Sequence, residues 1–189
     1  ALIVRAGAGV NTIDVAAASA QGIYVANCPG KNSQAVAELA FGLMLAIDRH
    51  IPDNVIELRN GHWNKKQFSK AKGLYGRTLG LVGMGKIGQE MVPRAKAFGM
   101  NVVAYSRWMT PDVATLLGIK RADTPIEVAQ QSDVVSVHVA LTPETRGSLG
   151  HDFFNAMLPG ATFLNTSRAE VVDQEALLMA LNKGKIFAG

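Results

Sequence analysis

The run Leu79-Gly80-Leu81-Val82-Gly83-Met84-Gly85-Lys86-Ile87-Gly88 spaces three glycines in a way that suits a phosphate-bearing ligand. It follows an apolar stretch with strand character and opens one with helix character. That context turns a glycine spacing into a dinucleotide-binding pattern. Gly83 then makes a tight turn, Gly85 opens the backbone to a pyrophosphate, and Gly88 lets helix and strand pack closely. Lys86 and Ile87 begin the helix, whose first N–H groups and partial positive charge face the phosphates. The alternative is a set of glycines that serves only a strand-to-helix turn.

An acidic residue is expected about 20 positions on, where it would hold the adenosine 2′-hydroxyl. Ser106-Arg107 stands there instead. An Arg beside a small hydroxyl suits a 2′-phosphate, so NADP is tolerated beside NAD; otherwise Arg107 is an exposed loop residue. Arg168 follows another apolar strand, and its guanidinium can pair bidentately with a substrate carboxylate. A salt bridge to Glu170 or Asp173 is the alternative for it. Acid–base work calls for a group that titrates near neutrality, most often His. Of the four histidines, His50 reads as mid-helix, His62 as loop and His151 as a helix start. His138 lies at a strand end near the presumed ligand, yet a packed core histidine is the favoured reading. None has an evident carboxylate partner, so the catalytic base is expected outside this segment.

These residues need a scaffold, and the sequence predicts one. Strands are expected at 2–4, 23–25, 78–82, 101–105, 119–121, 133–140 and 161–166, with a last one near the C-terminus. Helices are expected at 13–20, 34–60 (kinked or restarted at Pro52), 86–98, 111–117, 126–130, 152–157 and 175–182. Pro93 falls inside one of them and should bend it. Nearly continuous Val/Ile/Leu strands between amphipathic helices imply a doubly wound parallel sheet covered on both faces.

Composition narrows the class. The 189 residues are 48% hydrophobic and 18% charged, which excludes intrinsic disorder. Lys65, Lys66, Lys70 and Lys72 share one polar stretch, read as a solvated loop rather than a nucleic-acid patch because few aromatics alternate with them. The longest apolar run, Leu39 to Ile47, is far short of the roughly 20 residues that a membrane span requires. One cysteine, Cys28, makes neither an internal disulfide nor a thiolate metal site, and no metal is expected. A cytoplasmic setting follows. The sequence opens without methionine on Ala1-Leu2-Ile3-Val4-Arg5, which reads as a buried strand, and stops inside another. A middle section of a longer polypeptide is therefore expected.

Several ordered motifs together resemble the D-isomer-specific 2-hydroxyacid dehydrogenase family. They are Ala6-Gly7-Ala8-Gly9-Val10-Asn11-Thr12-Ile13-Asp14, Asn27-Cys28-Pro29-Gly30, Val36-Ala37-Glu38-Leu39, the glycine run, Leu141-Thr142-Pro143-Glu144-Thr145-Arg146-Gly147 and Asn165-Thr166-Ser167-Arg168. The resemblance runs essentially end to end. It implies a Rossmann-like cofactor domain, residues 34–189 and incomplete at its C-terminal end, after a remnant of a second Rossmann-like substrate domain, residues 1–33. It also implies a homodimer formed through the cofactor domains, aided by the helix near 34–60, and a small 2-hydroxy or 2-oxo acid as substrate. Substrate contacts are implied at Gly7, Ala8, Gly9 and Arg168, and cofactor contacts at Gly85, Lys86, Ile87, Ser106, Val139, Thr166 and Ser167. A Glu–His acid–base pair is implied C-terminal to the match. The form Arg5-Ala6-Gly7-Ala8-Gly9 resembles the phosphoglycerate branch, in which Arg5 helps hold a substrate phosphate. Ser106-Arg107 instead resembles glyoxylate/hydroxypyruvate reductases. Ala169-Glu170 departs from the family's glycines after Arg168. Nucleotide-sensing corepressors that share the fold are the alternative from another class, and formate dehydrogenase is a third.

Overall fold

A computed structural model describes all 189 residues. Strand β1 (Leu2–Val4), helix α1 (Val15–Ala20) and strand β2 (Tyr24–Ala26) come first. Asp14 sets where α1 begins, because its carboxylate accepts the Ala17 N–H at 2.8 Å, so the helix starts later than the apolar pattern predicts. The two strands pair in parallel as a sheet of their own. The expectation of a buried first strand fails: Leu2 and Val4 are 61% and 65% exposed, since this small sheet has only α1 packed on it.

Helices α2 (Ser33–Arg49), α3 (Ile51–Arg59) and α4 (Lys65–Phe68) follow. The long expected helix is broken at His50 rather than at Pro52. His50 takes a left-handed backbone (φ 51°, ψ 40°) that closes α2 and opens α3. Pro52 then lies in the first turn of α3, where its missing N–H is not needed. The lysine stretch, expected as loop throughout, carries the single turn α4.

The remaining elements alternate: β3 (Thr78–Val82), α5 (Lys86–Ala97), β4 (Asn101–Tyr105), α6 (Pro111–Leu117), β5 (Lys120–Arg121), α7 (Pro125–Gln131), β6 (Val134–Val137), α8 (His151–Ala156), β7 (Ala161–Asn165), α9 (Gln174–Asn182) and β8 (Ile186–Ala188). Local chemistry explains several boundaries. Thr110 and Thr124 cap α6 and α7 through bonds from Val113 N–H and Glu127 N–H, each with a proline just inside the helix. Asp173 caps α9 by accepting from Glu175 and Ala176 N–H. Pro93 sits inside α5 on its exposed side, as does Gln89, the residue whose carbonyl it deprives of a helical donor.

The six strands form one parallel sheet in the order β5-β4-β3-β6-β7-β8. Chain order reverses between β3 and β6, the switch point where an open sheet leaves a crevice beyond its carboxyl ends. Register brings three strand ends side by side there, with Val82 opposite both Tyr105 and Val137. β6 is shorter than expected, because His138 leaves the ladder after donating its N–H to Val82 O at 2.8 Å. Two apolar cores flank the sheet. Phe41, Met44, Leu79, Leu81 and Met91 join α2 and α5 to one face. Val128, Val135, Phe153, Phe154, Phe163 and Ala176 join α7, α8 and α9 to the other. Both faces are covered, as the strand composition requires.

Candidate active site

The glycine run forms the floor of the crevice. Gly83 has φ 105°, and a Cβ there would meet the backbone carbon and oxygen of His138 at 2.7 Å. A Cβ on Gly88 would run into the Gly83 carbonyl oxygen, so only glycine permits this close crossing of β3 and α5. Gly85 differs: a Cβ there would meet nothing within 4 Å, because its face opens to the crevice. Gly85 also caps α5 without a side-chain hydrogen bond, which leaves the first-turn N–H groups for an anion. Two crowded glycines and one open one fit a pyrophosphate cradle.

Beside this floor is a cavity of about 320 Å3 lined by Gly83, Gly85, Ser106, Arg107, His138 and Val139 among others. Lys86, Ile87, Gly88, Thr166 and Ser167, expected with them, do not line it. Lys86 instead crosses to the first sheet's loop, where its Nζ donates to Pro29 O at 3.4 Å and its stem covers Gly30. Trp108, Glu144 and Thr145 line the cavity although sequence reasoning passed over them. The signal available for Glu144 was its place in the Leu141–Gly147 motif, on the loop after a ligand-side strand.

Arg168 stands at a second focus. Its Nη2 donates to Asn11 Oδ1 and its Nη1 to Ser167 O, both at 2.9 Å. Neither Glu170 nor Asp173 pairs with it, which removes the salt-bridge alternative. Its guanidinium lies over Gly9, where a Cβ would overlap it, and the Arg5 guanidinium lies over Gly7. The Gly7–Gly9 loop is tied from below by Asn27 Nδ2 to Ala8 O at 2.8 Å and Cys28 N to Gly7 O at 3.0 Å. Asn165 Oδ1 accepts from Ser167 N and Oγ and so holds the turn that presents Arg168. After it, Ala169–Val171 form one turn of 3₁₀ helix. Thr166 Oγ1 is buried there without a partner.

His138 is 8% exposed, with Nε2 at 2.9 Å from Ser136 Oγ and Nδ1 unpartnered. Burial lowers its pKa to about 4, so the ring is neutral at ordinary pH. That makes it a core histidine and a poor proton donor. His50 and His62 face Asp53 and Glu57 on the exposed helical arm, away from the crevice; the structure sets His50 between two helices rather than within one. No cluster of His, Cys, Asp or Glu is arranged to hold a metal ion. No helix is long and apolar enough to cross a membrane.

Residues 41–189 match the family described as D-isomer specific 2-hydroxyacid dehydrogenase, NAD binding domain. The chain belongs to this family. NAD is accordingly its cofactor, and the glycine cradle fits the pyrophosphate of that molecule. Across 99% of its length the chain is 44% identical to D-3-phosphoglycerate dehydrogenase of Methanocaldococcus jannaschii, covering 36% of that protein. It is 42% identical to hydroxypyruvate reductase of Thermotoga maritima, again over 99% of the chain and 60% of the relative. The solved apo-structure of D-lactate dehydrogenase from Escherichia coli superposes with a TM-score of 0.88 at 34% identity, covering 98% of this chain and 58% of that one. The chain thus spans between about a third and three fifths of the length of these relatives.

Proposed function

We propose that the protein containing this chain is an oxidoreductase that moves a hydride between a nicotinamide cofactor and C2 of a D-2-hydroxy acid. One observation carries this reading: Arg168 converges on the Gly7–Gly9 loop, and the Pro29–Gly30 turn beyond that loop's Cys28 tie meets Lys86 at the start of α5, the helix of the dinucleotide cradle. The nicotinamide, when bound, supplies or accepts the hydride. Arg168 pairs with the substrate carboxylate and polarises the adjacent carbonyl, aided by the backbone of Gly7, Ala8 and Gly9. Gly83, Gly85, Lys86, Ile87 and Gly88 hold the pyrophosphate end of the cofactor, and Ser106 and Arg107 its adenosine end. Val139, Thr166 and Ser167 complete its contacts. His138, neutral and buried, does not move the proton. That task falls to a Glu–His pair outside these residues.

Among substrates, 3-phosphoglycerate and its ketone 3-phosphohydroxypyruvate are favoured. Arg5 pairs with no carboxylate and lies next to the substrate loop, so its charge is available to a phosphate. Glyoxylate or hydroxypyruvate reduction is the second reading, supported by Ser106-Arg107 and by the likeness to a hydroxypyruvate reductase. Residues 1–33 belong, in this proposal, to a substrate domain and 34–189 to the cofactor domain. The partner is a second copy, joined through the cofactor domains. Exposed Ile51, Ile56, Leu58 and Trp63, and a groove of about 640 Å3 along α3 and α4, support that. A reducing cytoplasm suits the single exposed thiol, Cys28.

The test is to assay the full-length protein with NADH and NADPH against 3-phosphohydroxypyruvate, hydroxypyruvate and glyoxylate. Turnover of the phosphorylated ketone is expected. Tight dinucleotide binding with no turnover of any 2-oxo acid would transfer the protein to the nucleotide-sensing class.

A further inference from the structure

The strand end on the adenosine side of the crevice reads Tyr105-Ser106-Arg107 and carries no carboxylate. A carboxylate nevertheless enters the same cavity from another element. Glu144, on the loop after β6, lines it together with Ser106, Arg107 and Trp108, and is the only acidic residue to do so. Its place is held locally. Thr142 Oγ1 donates to Glu144 Oε2 at 2.6 Å, Thr142 N–H donates to Thr145 Oγ1 at 2.8 Å, and Thr145 Oγ1 donates to Ala140 O at 2.7 Å. These bonds leave Oε1 without a donor from any other residue. Arg107 forms no ion pair or side-chain hydrogen bond, so the two opposite charges share the cavity without quenching each other.

We propose that Glu144 accepts hydrogen bonds from the adenosine ribose hydroxyls and, opposed by Arg107, sets the discrimination between a free 2′-hydroxyl and a 2′-phosphate. The proposal rests on the dinucleotide reading of this cavity and adds the residue that decides which dinucleotide is preferred. A carboxylate accepts strongly from a hydroxyl and repels a phosphate, whereas Arg107 attracts the phosphate. The Thr142 hydrogen bond and the Glu144 backbone N–H, with a smaller contribution from the Arg107 charge, lower the Glu144 carboxyl from its ordinary value, so it is ionised at neutral pH. The acidic residue missing from the strand end is thus supplied from the neighbouring loop, and NADH is bound in preference while NADPH remains tolerated.

The experiment measures dissociation constants of NADH and NADPH for the full-length protein by tryptophan fluorescence, with Trp108 as reporter at the cavity wall. The variants are Glu144→Gln, Glu144→Ala and Glu144→Asp. For the first two, loss of a charge-assisted hydrogen bond raises the NADH constant roughly tenfold. Loss of an exposed like charge lowers the NADPH constant roughly twofold to fivefold. The change in NADPH affinity shrinks at high salt because both charges are exposed. Glu144→Asp keeps the repulsion, so it weakens NADH without improving NADPH. A preference ratio that stays within about twofold of wild type in both charge-removing variants overturns the assignment of Glu144 while the cavity's role stands. Wild-type protein that binds neither dinucleotide overturns the reading of the cavity itself, and Glu144 with it.

Discussion

Asn11 and Arg168 lie 157 residues apart in the chain, and the guanidinium Nη2 of one donates to the amide oxygen of the other at 2.9 Å. This bond runs from the loop after β1 to the turn after β7, so it joins the two sheets. It also orients a guanidinium whose planar fork suits a carboxylate.

Arg168→Lys is expected to fold normally and to lose substrate affinity, since a lysine offers a point charge in place of a fork. Losing a charge-assisted contact of about 1.5–3 kcal/mol corresponds to roughly 10–150-fold in kcat/KM. Steady-state kinetics of the full-length protein check this, with NADH binding expected to be unchanged.

Arg5→Ala separates the two substrate readings. It should raise KM for 3-phosphohydroxypyruvate roughly tenfold and leave hydroxypyruvate nearly unaffected, because only the former carries the phosphate that Arg5 would meet. Equal effects on both substrates would remove the phosphate role.

Gly83→Ala and Gly88→Ala should each abolish dinucleotide binding and lower stability. At Gly83 the left-handed backbone alone costs about 1–3 kcal/mol with a side chain present. Gly85→Ala, whose Cβ has open space, should fold as wild type yet bind the cofactor more weakly, because the added methyl enters the pyrophosphate's approach. Thermal unfolding with and without NADH distinguishes the two behaviours.

His138 gives a pH signature. Its pKa is near 6.5 in the unfolded chain and about 4 in the folded one, so the unfolded state takes up the proton first as pH falls. Its contribution is fully present above about pH 6.5 and is lost progressively down to pH 4, by about 3 kcal/mol. Urea unfolding at pH 7 and pH 4.5 should show a smaller acid loss in His138→Gln than in wild type. An identical loss in both would mean that the ring is not desolvated.

The strand–helix alternation was legible because β3, β4, β6 and β7 are largely apolar runs buried on both faces, and composition alone reports that; β5, the exposed pair Lys120–Arg121, is the exception. The glycine cradle was legible because its spacing is a steric requirement. Three things were not. The break at His50 depends on a left-handed residue that is not glycine, so nothing in its type announces it. The exposure of Leu2 and Val4 depends on which layers pack there. Glu144 shares a cavity with Arg107 only because register sets β4, β3 and β6 edge to edge, a pairing 37 residues apart that no local pattern encodes.

The crevice has an uneven tolerance to change. At Gly83 and Gly88 its floor is buried and sterically closed, so a mutation there strikes the fold together with the ligand. Its adenosine wall, Arg107 and Glu144, is exposed on loops, where substitutions usually shift stability by less than about 0.5 kcal/mol. Coenzyme preference can therefore drift in a lineage by single exposed exchanges, with almost no folding penalty, while the phosphate cradle beneath stays frozen.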